Sequence, residues 1–217
     1  MNLLHMLDDS DFDELVITSS IGIKMISKAM EKSSLPDNVK KQIDSILKTQ
    51  LQKEKILTIV EKIIEVRRSI KNLFKAKEIE NVFESNESVI YLTKPCSKED
   101  DFNNLILIMC GIINEDLEGF KKIVEMPKGQ TGSIVAFNEY LKSEYGEGSF
   151  NISIIQNLRD IYTLRSKKFP THVDTTDWID KVKTLGFSYP ITEWEDLGFK
   201  CLELYFESLS NTLTKLS

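Results

Sequence analysis

The feature that most constrains the fold is a run from Pro36 to about Phe83 that contains no glycine, and no proline after its first residue. Within this run apolar residues recur at spacings of three and four, the period of one face of an α-helix: Ile43, Leu47, Leu51, Ile56, Ile59, Val60, Ile63, Val66, Ile70, Leu73 and Phe74. An unbroken helix of this length would extend about 65 to 70 Å. The run predicts a projecting helix or an arm that packs on a partner, with a break near Gln52 or Lys77 left open.

The rest of the chain also predicts helices. Hydrophobic residues make up 41% of the sequence, enough for a core, whereas only nine glycines and five prolines are present. Such a scarcity of turn-forming residues argues against a many-stranded β-sandwich and favours long helices with few connections. We therefore predict an all-α fold.

Turn and cap residues divide this fold into elements. Apolar periodicity predicts helices over residues 11–32, Glu99–Val124, Ser133–Glu144, Ile152–Lys167, Thr175–Leu185 and Thr192–Leu213, the last opened by a capping box of Thr192 and Glu195. The segment Asn86–Pro95 is the one candidate for a strand or an extended link, because it is rich in β-prone residues. These elements predict an N-terminal helical arm over residues 1–84, a linker over 85–98 and a C-terminal helical bundle over 99–217.

The charge of the chain is unevenly distributed. The net charge is −6, yet Pro36 to Lys77 holds eleven basic and five acidic residues, a local balance of 11 − 5 = +6, which leaves −12 for the remainder. A basic helix can bind a phosphate backbone, although a solvated helix surface is the commoner outcome. We expect its cations to lie on the surface: Lys53, Lys55, Lys62, Arg67, Arg68 and Lys71.

Cysteine and histidine usage indicates a reduced compartment and no metal centre. The three cysteines, Cys96, Cys110 and Cys201, follow no disulfide or metal-ligand spacing, and His5 and His172 are the only histidines. No apolar run approaches the ~20 residues that span a bilayer, and the N-terminus does not follow the pattern of a signal peptide. We expect a cytoplasmic protein that needs no cofactor and no membrane.

Chemistry is predicted at the end of the third helix of the bundle. The helical period places three aliphatic residues and an arginine on one face: Ile154, Leu158, Ile161 and Arg165. An arginine that ends an apolar stripe either extends to solvent along its apolar stem or directs its planar fork into a site. His172 follows in the turn after Pro170, and Lys167 and Lys168 make the same end electropositive.

The segment RSKKFPTH, from Arg165 to His172, resembles the Arg-x4–6-His motif of the HEPN (higher eukaryotes and prokaryotes nucleotide-binding) superfamily. The resemblance covers roughly Glu99 to the C-terminus, whereas residues 1–84 match no family pattern. Ser166 follows the arginine at a position where the family often has Asn, Asp or His. The resemblance implies a helical bundle that forms homodimers and, in many members, a metal-independent endoribonuclease of the toxin–antitoxin or antiviral-defence kind.

The resemblance also implies roles for individual residues. Arg165 would hold the scissile phosphate of a single-stranded RNA, and His172 would act as general acid or base for attack by the 2′-hydroxyl. Further substrate contacts are expected from the neighbouring polar residues Ser166, Lys167, Lys168, Arg159 and Tyr162. Arg159 would add affinity for phosphate, and Tyr162 is either a core residue or a surface on which a base stacks.

Other interpretations remain open. Arg165 is equally compatible with an ion pair to Asp160 or Asp174, and His172 with an exposed turn. The chain would then be a non-catalytic HEPN-like scaffold that binds a protein partner, such as an antitoxin, or a nucleotide. A helical regulatory protein unrelated to this superfamily is a third possibility. Catalysis requires the two motifs of a dimer to converge on one phosphate, whereas a scaffold leaves them apart or pairs Arg165 internally.

Overall fold

The computed structural model describes residues 26–30, 33, 35–84, 87–165 and 175–217, with no side-chain detail for 149–151 and 175. Its helices are α1 (Asp37–Ala76), α2 (Glu99–Leu117), α3 (Ser133–Tyr145), α4 (Ser149–Arg165), α5 (Thr175–Thr184) and α6 (Trp194–Leu216), with 3-10 helices at Ser88–Thr93 and Glu118–Lys122. No strand occurs within these ranges. The predicted all-α helical bundle is confirmed.

The chain divides into two compact units, the first ending at Leu57 and the second running from Thr58 to Ser217. In the first unit, residues 26–30 are helical. A small apolar cluster joins them to the start of α1: Met30, Leu47, Ile26, Ile43 and Leu51. The Ser33 hydroxyl donates to the carbonyl of Met30 at 2.8 Å, next to the predicted helix end. The earlier part of the helix predicted over residues 11–32 lies outside the described residues.

Helix α1 is continuous from Asp37 to Ala76, so the break considered near Gln52 does not occur. The helix ends at Ala76, next to the break left open near Lys77 and about two turns before the predicted limit at Phe83. The amide of Ile79 bonds back to the Phe74 carbonyl, and Glu78 has a φ of +59°, which an α-helix cannot continue through. The end therefore depends on a turn that uses no glycine, and helical periodicity alone does not reveal such a turn.

The second unit is organised around α4. This helix packs against α2, α3, α5 and α6, and α2 also contacts α3, α6 and the first 3-10 helix. The stripe of α4 that faces this core contains Ile154, Leu158 and Ile161, all of them buried as the periodicity predicts. Because α4 contacts four helices, its last turn is held firmly by the bundle.

Two local predictions were wrong. The segment Asn86–Pro95 contains a 3-10 helix rather than a strand, because Val89 and Leu92, three residues apart, both enter the core and no neighbouring described segment offers a strand for pairing. The capping box is also absent. Helix α6 begins at Trp194 after Glu193, which makes no side-chain capping bond, so Thr192 lies one residue too early.

The cysteines behave as small apolar residues, as expected. All three are free and buried, and burial raises the pKa of Cys96 and of Cys110 to about 12. None of the helices described is both long enough and apolar enough to cross a bilayer.

Candidate functional site

Arg165 is the last residue of α4, and it is exposed although the helical period places it above the buried stripe. The residue before it, Leu164, is buried and completes the apolar contact of α4 with the bundle. The cation thus extends into solvent from the end of a helix that the core holds in place. A guanidinium in this position is available to a ligand.

The ion pair between Arg165 and Asp160 does not form. Asp160 instead pairs with Lys181 of α5, with 2.7 Å between the Lys181 Nζ and Asp160 Oδ1 atoms, and the same oxygen accepts a hydrogen bond from Gln156 at 2.7 Å. Asp160 therefore joins α4 to α5 and is engaged elsewhere. Within the described ranges Arg165 has no carboxylate partner, and Asp174, the other partner considered, lies outside them.

Tyr162 lies one turn before Arg165 and is half-buried. Its hydroxyl donates to the backbone carbonyl of Cys110 in α2 at 3.0 Å. Burial, aided by the neighbouring Cys110, raises the pKa of Tyr162 to about 12, and the charge of Arg165 opposes this rise. The hydroxyl is therefore a structural link between α4 and α2 and not a proton donor at neutral pH, while the ring stays within the field of Arg165.

Two clefts lie along α4, and Arg159 lines both of them. The first has a volume of about 490 Å³ and is lined mainly by polar side chains of α3 and α4 and of the loop before α3: Gln130, Asn138, Glu139, Lys142, Gln156 and Arg159. Lys142 approaches Glu139 at 3.1 Å, so the only carboxylate of this lining is neutralised locally. Arg159 itself is exposed and forms no ion pair with any described carboxylate.

The second cleft has a volume of about 410 Å³ and reaches towards the Arg165 end of α4. Its polar lining comes from α2, from the start of α3 and from α4: Asn114, Thr131, Ser133, Arg159, Tyr162 and Thr163. The buried Ser133 hydroxyl donates to Asn114 at 2.7 Å and holds that amide at the rim. Both clefts fall in the size range of small-ligand sites.

The segment that follows Arg165 carries most of the predicted site. Ser166, Lys167, Lys168 and His172 lie outside the described residues, as does Pro170. The two ends of this segment are held together, because the indole N–H of Trp178 in α5 donates to the carbonyl of Leu164 in α4 at 3.0 Å. The end of α4 and the first turn of α5 therefore lie side by side.

A buried polar network was not anticipated. Arg67 of α1 binds the Asp116 carboxylate of α2 through two parallel hydrogen bonds, Nε to Oδ2 at 2.9 Å and Nη2 to Oδ1, and the hydroxyl of Tyr205 in α6 donates to Oδ2 at 2.8 Å. Each of the three residues is 1% exposed. The expectation that Arg67 lies on the surface was wrong.

Arg67 is buried because of its spacing within α1. Ile63, Ile70 and Phe74 are fully buried, and Arg67 falls four residues after the first and three before the second. The periodicity that identified the stripe therefore also placed Arg67 within it. Burial raises the pKa of the Asp116 carboxyl, and the hydrogen bonds from Arg67 and Tyr205 oppose that rise by stabilising the carboxylate.

No group of three or more His, Cys, Asp or Glu side chains that could hold a metal ion occurs in the part of the chain that the structure describes. In comparisons with known proteins, no family model, no curated protein and no solved structure matches this chain. The resemblance to the HEPN superfamily therefore remains a prediction from the motif.

Proposed function

We propose that this protein is a metal-independent endoribonuclease that cleaves single-stranded RNA, with Arg165 and His172 as its catalytic residues. The observation that carries the proposal is the state of Arg165: an exposed cation at the end of a firmly packed helix, without an ion pair to any carboxylate of the described residues. Asp160, five residues before Arg165 on the same helix, is already paired with Lys181. A guanidinium that forms no ion pair within the described residues is suited to an anionic substrate, because its planar fork matches a phosphate.

The chemistry uses the two side chains in different ways. Arg165 would bind two oxygens of the scissile phosphate through its parallel donors and stabilise the charge that develops there. A neutral His172 would take the proton of the ribose 2′-hydroxyl as its oxygen attacks phosphorus, and a protonated histidine would give a proton to the departing 5′-oxygen. The products are a 2′,3′-cyclic phosphate and a 5′-hydroxyl, and no metal ion is required for the proton balance.

Two proton transfers in one step require two histidines, and the sequence contains a single Arg-x6-His motif. A homodimer that places two copies of the motif on one phosphate supplies both. The bond between Trp178 and Leu164 supports a role for His172 beside Arg165, because it holds the first turn of α5, which begins three residues after His172 in the sequence, next to the end of α4. Dimerisation is part of the proposal.

The test is cleavage of end-labelled single-stranded RNA in excess EDTA. We expect the wild-type protein to cut the RNA and His172→Ala to be inactive. A phosphatase should remove the terminal phosphate of the wild-type products only after their cyclic phosphate has been hydrolysed. His5→Ala is the matched control, since His5 is the other histidine of the chain and lies outside the motif. A substrate with 2′-deoxyribose at the cut position should resist cleavage because it lacks the nucleophile.

Cutting that survives in His172→Ala would identify a contaminant or a different site. An absence of cutting by the wild-type protein at any protein concentration, under conditions in which a dimer forms, would rule out the nuclease. The non-catalytic scaffold, binding a protein partner or a nucleotide, would then be the function to pursue.

A further inference from the structure

The two clefts along α4 meet at Arg159, which lines both, and each presents polar side chains beside apolar surface. We call this surface the α4 groove and define it by Asn114, Thr131, Glu139, Lys142, Gln156 and Arg159. The α4 residues that line it run from Ile152 to Thr163, or about 16 Å along the helix axis at 1.5 Å per residue. We infer that the α4 groove binds the RNA strand next to the cleaved phosphate; this inference rests on the proposed function of Arg165.

The charge of the groove fits a polyanion. The protein as a whole has a net charge of −6, yet the groove carries two cations, Lys142 and Arg159, against one carboxylate, Glu139. Lys142 pairs with Glu139 at 3.1 Å and with Glu147 at 3.7 Å, whereas Arg159 is exposed and forms no ion pair with any described carboxylate. None of the described residues that line the second cleft is acidic. Non-specific affinity for RNA comes mainly from such neutralisation of phosphates.

The side chains of the groove suit unpaired nucleotides. Amide and hydroxyl groups line it on both sides of Arg159, from Gln130 and Gln156 in the first cleft to Asn114 and Thr131 in the second. Amides donate and accept, as the edges of exposed bases do, whereas the deep, narrow major groove of paired RNA is closed to side chains. The groove therefore fits a single strand better than a duplex.

The position of the groove relative to Arg165 sets the register of the strand. Arg159 precedes Arg165 by six residues, about 9 Å along the axis of α4. Tyr162 lies between them, with its hydroxyl fixed by the Cys110 carbonyl, so its ring forms a firm wall of the groove. A strand whose scissile phosphate meets Arg165 thus directs a neighbouring nucleotide into the second cleft and its phosphate towards Arg159.

The experiment measures binding alone, with a fluorescent single-stranded RNA that carries 2′-O-methyl ribose throughout and cannot be cleaved. We expect Arg159→Ala to weaken binding about ten-fold, the effect of losing one charge-assisted hydrogen bond. The slope of log binding constant against log salt concentration should become shallower by about 0.7. Arg68→Ala is the matched control, because Arg68 is an exposed arginine on the basic helix α1.

A second variant tests the groove by adding a repelling charge instead of removing a cation. Thr131→Glu adds a negative charge at the rim of the second cleft and should weaken binding by a similar factor, whereas Thr192→Glu adds the same charge at an exposed position before α6 and should not. Circular dichroism of each variant verifies that the helical content is retained.

Each outcome bears on the groove separately from the nuclease. Weak binding in Arg159→Ala and Thr131→Glu supports the groove, even if the wild-type protein proves unable to cleave RNA. Unchanged binding in both variants overturns the groove and leaves cleavage by Arg165 and His172 intact. Loss of binding in Arg68→Ala alone also overturns it, because the strand would then follow α1 instead.

Discussion

Arg67 and Arg165 both fall on an apolar stripe of their helix, but they meet opposite environments. Each falls at helical spacing on an apolar stripe, Arg67 in the middle of the stripe on α1 and Arg165 at the end of the stripe on α4. Arg67 is 1% exposed and bonded to a carboxylate that a tyrosine also bonds. Arg165 is exposed, and Asp160, the carboxylate nearest to it in sequence, is engaged by a lysine.

The difference shows that a place on an apolar stripe does not by itself decide the role of an arginine. In the middle of a buried stripe the side chain cannot reach water, so Arg67 must have its partners in the core. At the end of a helix the same side chain reaches solvent at little cost. The first arrangement stabilises the packing of α1, α2 and α6, and the second exposes a cation that no carboxylate of the described residues pairs. The following predictions separate the two roles.

The largest expected effect is that of Arg67→Ala on stability. Removing this partner leaves the Asp116 carboxylate buried with only the Tyr205 hydroxyl, and breaking a buried ion pair in this way costs about 3–5 kcal/mol. Urea unfolding followed by circular dichroism measures the loss. Arg68→Ala, which changes the next residue and an exposed side chain, should alter the free energy of unfolding by less than about 0.5 kcal/mol.

A double variant distinguishes the loss of a partner from the loss of volume. In Arg67→Met/Asp116→Leu both charges are absent, so no unpaired carboxylate remains in the core, and much of the lost stability should return. If the double variant were less stable than Arg67→Ala, packing rather than charge would explain the effect, and the comparison with Arg165 would lose its electrostatic basis.

The second prediction concerns Arg165→Lys and RNA cleavage. Lysine keeps the charge but cannot form two parallel hydrogen bonds, so we expect the cleavage rate to fall about a hundred-fold. The free energy of unfolding should stay the same. Single-turnover kinetics with saturating protein measures the chemical step, and Arg68→Lys is the control. Full activity in Arg165→Lys would show that the fork does not hold the phosphate.

The third prediction concerns Tyr205→Phe, which removes one hydroxyl from the buried network. Its hydrogen bond at 2.8 Å goes to a charged acceptor, so the loss should destabilise the protein by about 2 kcal/mol. A double-mutant cycle with Arg67→Ala measures the coupling of the two donors through Asp116. Exact additivity of the two changes would mean that the three side chains do not act as one network.

Much of the fold could be predicted because local chemistry determines it. Helix α5 ends at Thr184, one residue before the predicted limit, and Gly186 follows with a φ of +93°. The bounds of α3 and α6 differ from prediction by three residues or fewer. The segment that contains Ser88–Thr93 was mistaken for a strand because propensity was judged without knowledge of a pairing partner. Such a partner is a property of the tertiary structure.

The candidate site was predictable in part for the same reason. Helical period placed Arg165 and Tyr162 on α4, and both lie there. The partners of Asp116 could not be predicted, since Arg67 and Tyr205 lie 49 and 89 positions away in the sequence. The α4 groove was missed as well, because it combines residues of α2, α3, α4 and the loop before α3, none of which forms a motif. The roles of Ser166, Lys167, Lys168 and His172 stay predictions.

The smallest expected effect is that of Arg165→Ala on stability, and it tests the comparison most directly. An exposed arginine without a carboxylate partner in the described ranges contributes little to folding, so the free energy of unfolding should change by less than about 0.5 kcal/mol. Leu164→Ala serves as the positive control, because truncating this buried neighbour should cost about 2–5 kcal/mol in the same urea titration. If Arg165→Ala lowered the free energy of unfolding nearly as much as Arg67→Ala, Arg165 would also have a buried or paired role. The proposal that Arg165 binds a phosphate would then be wrong.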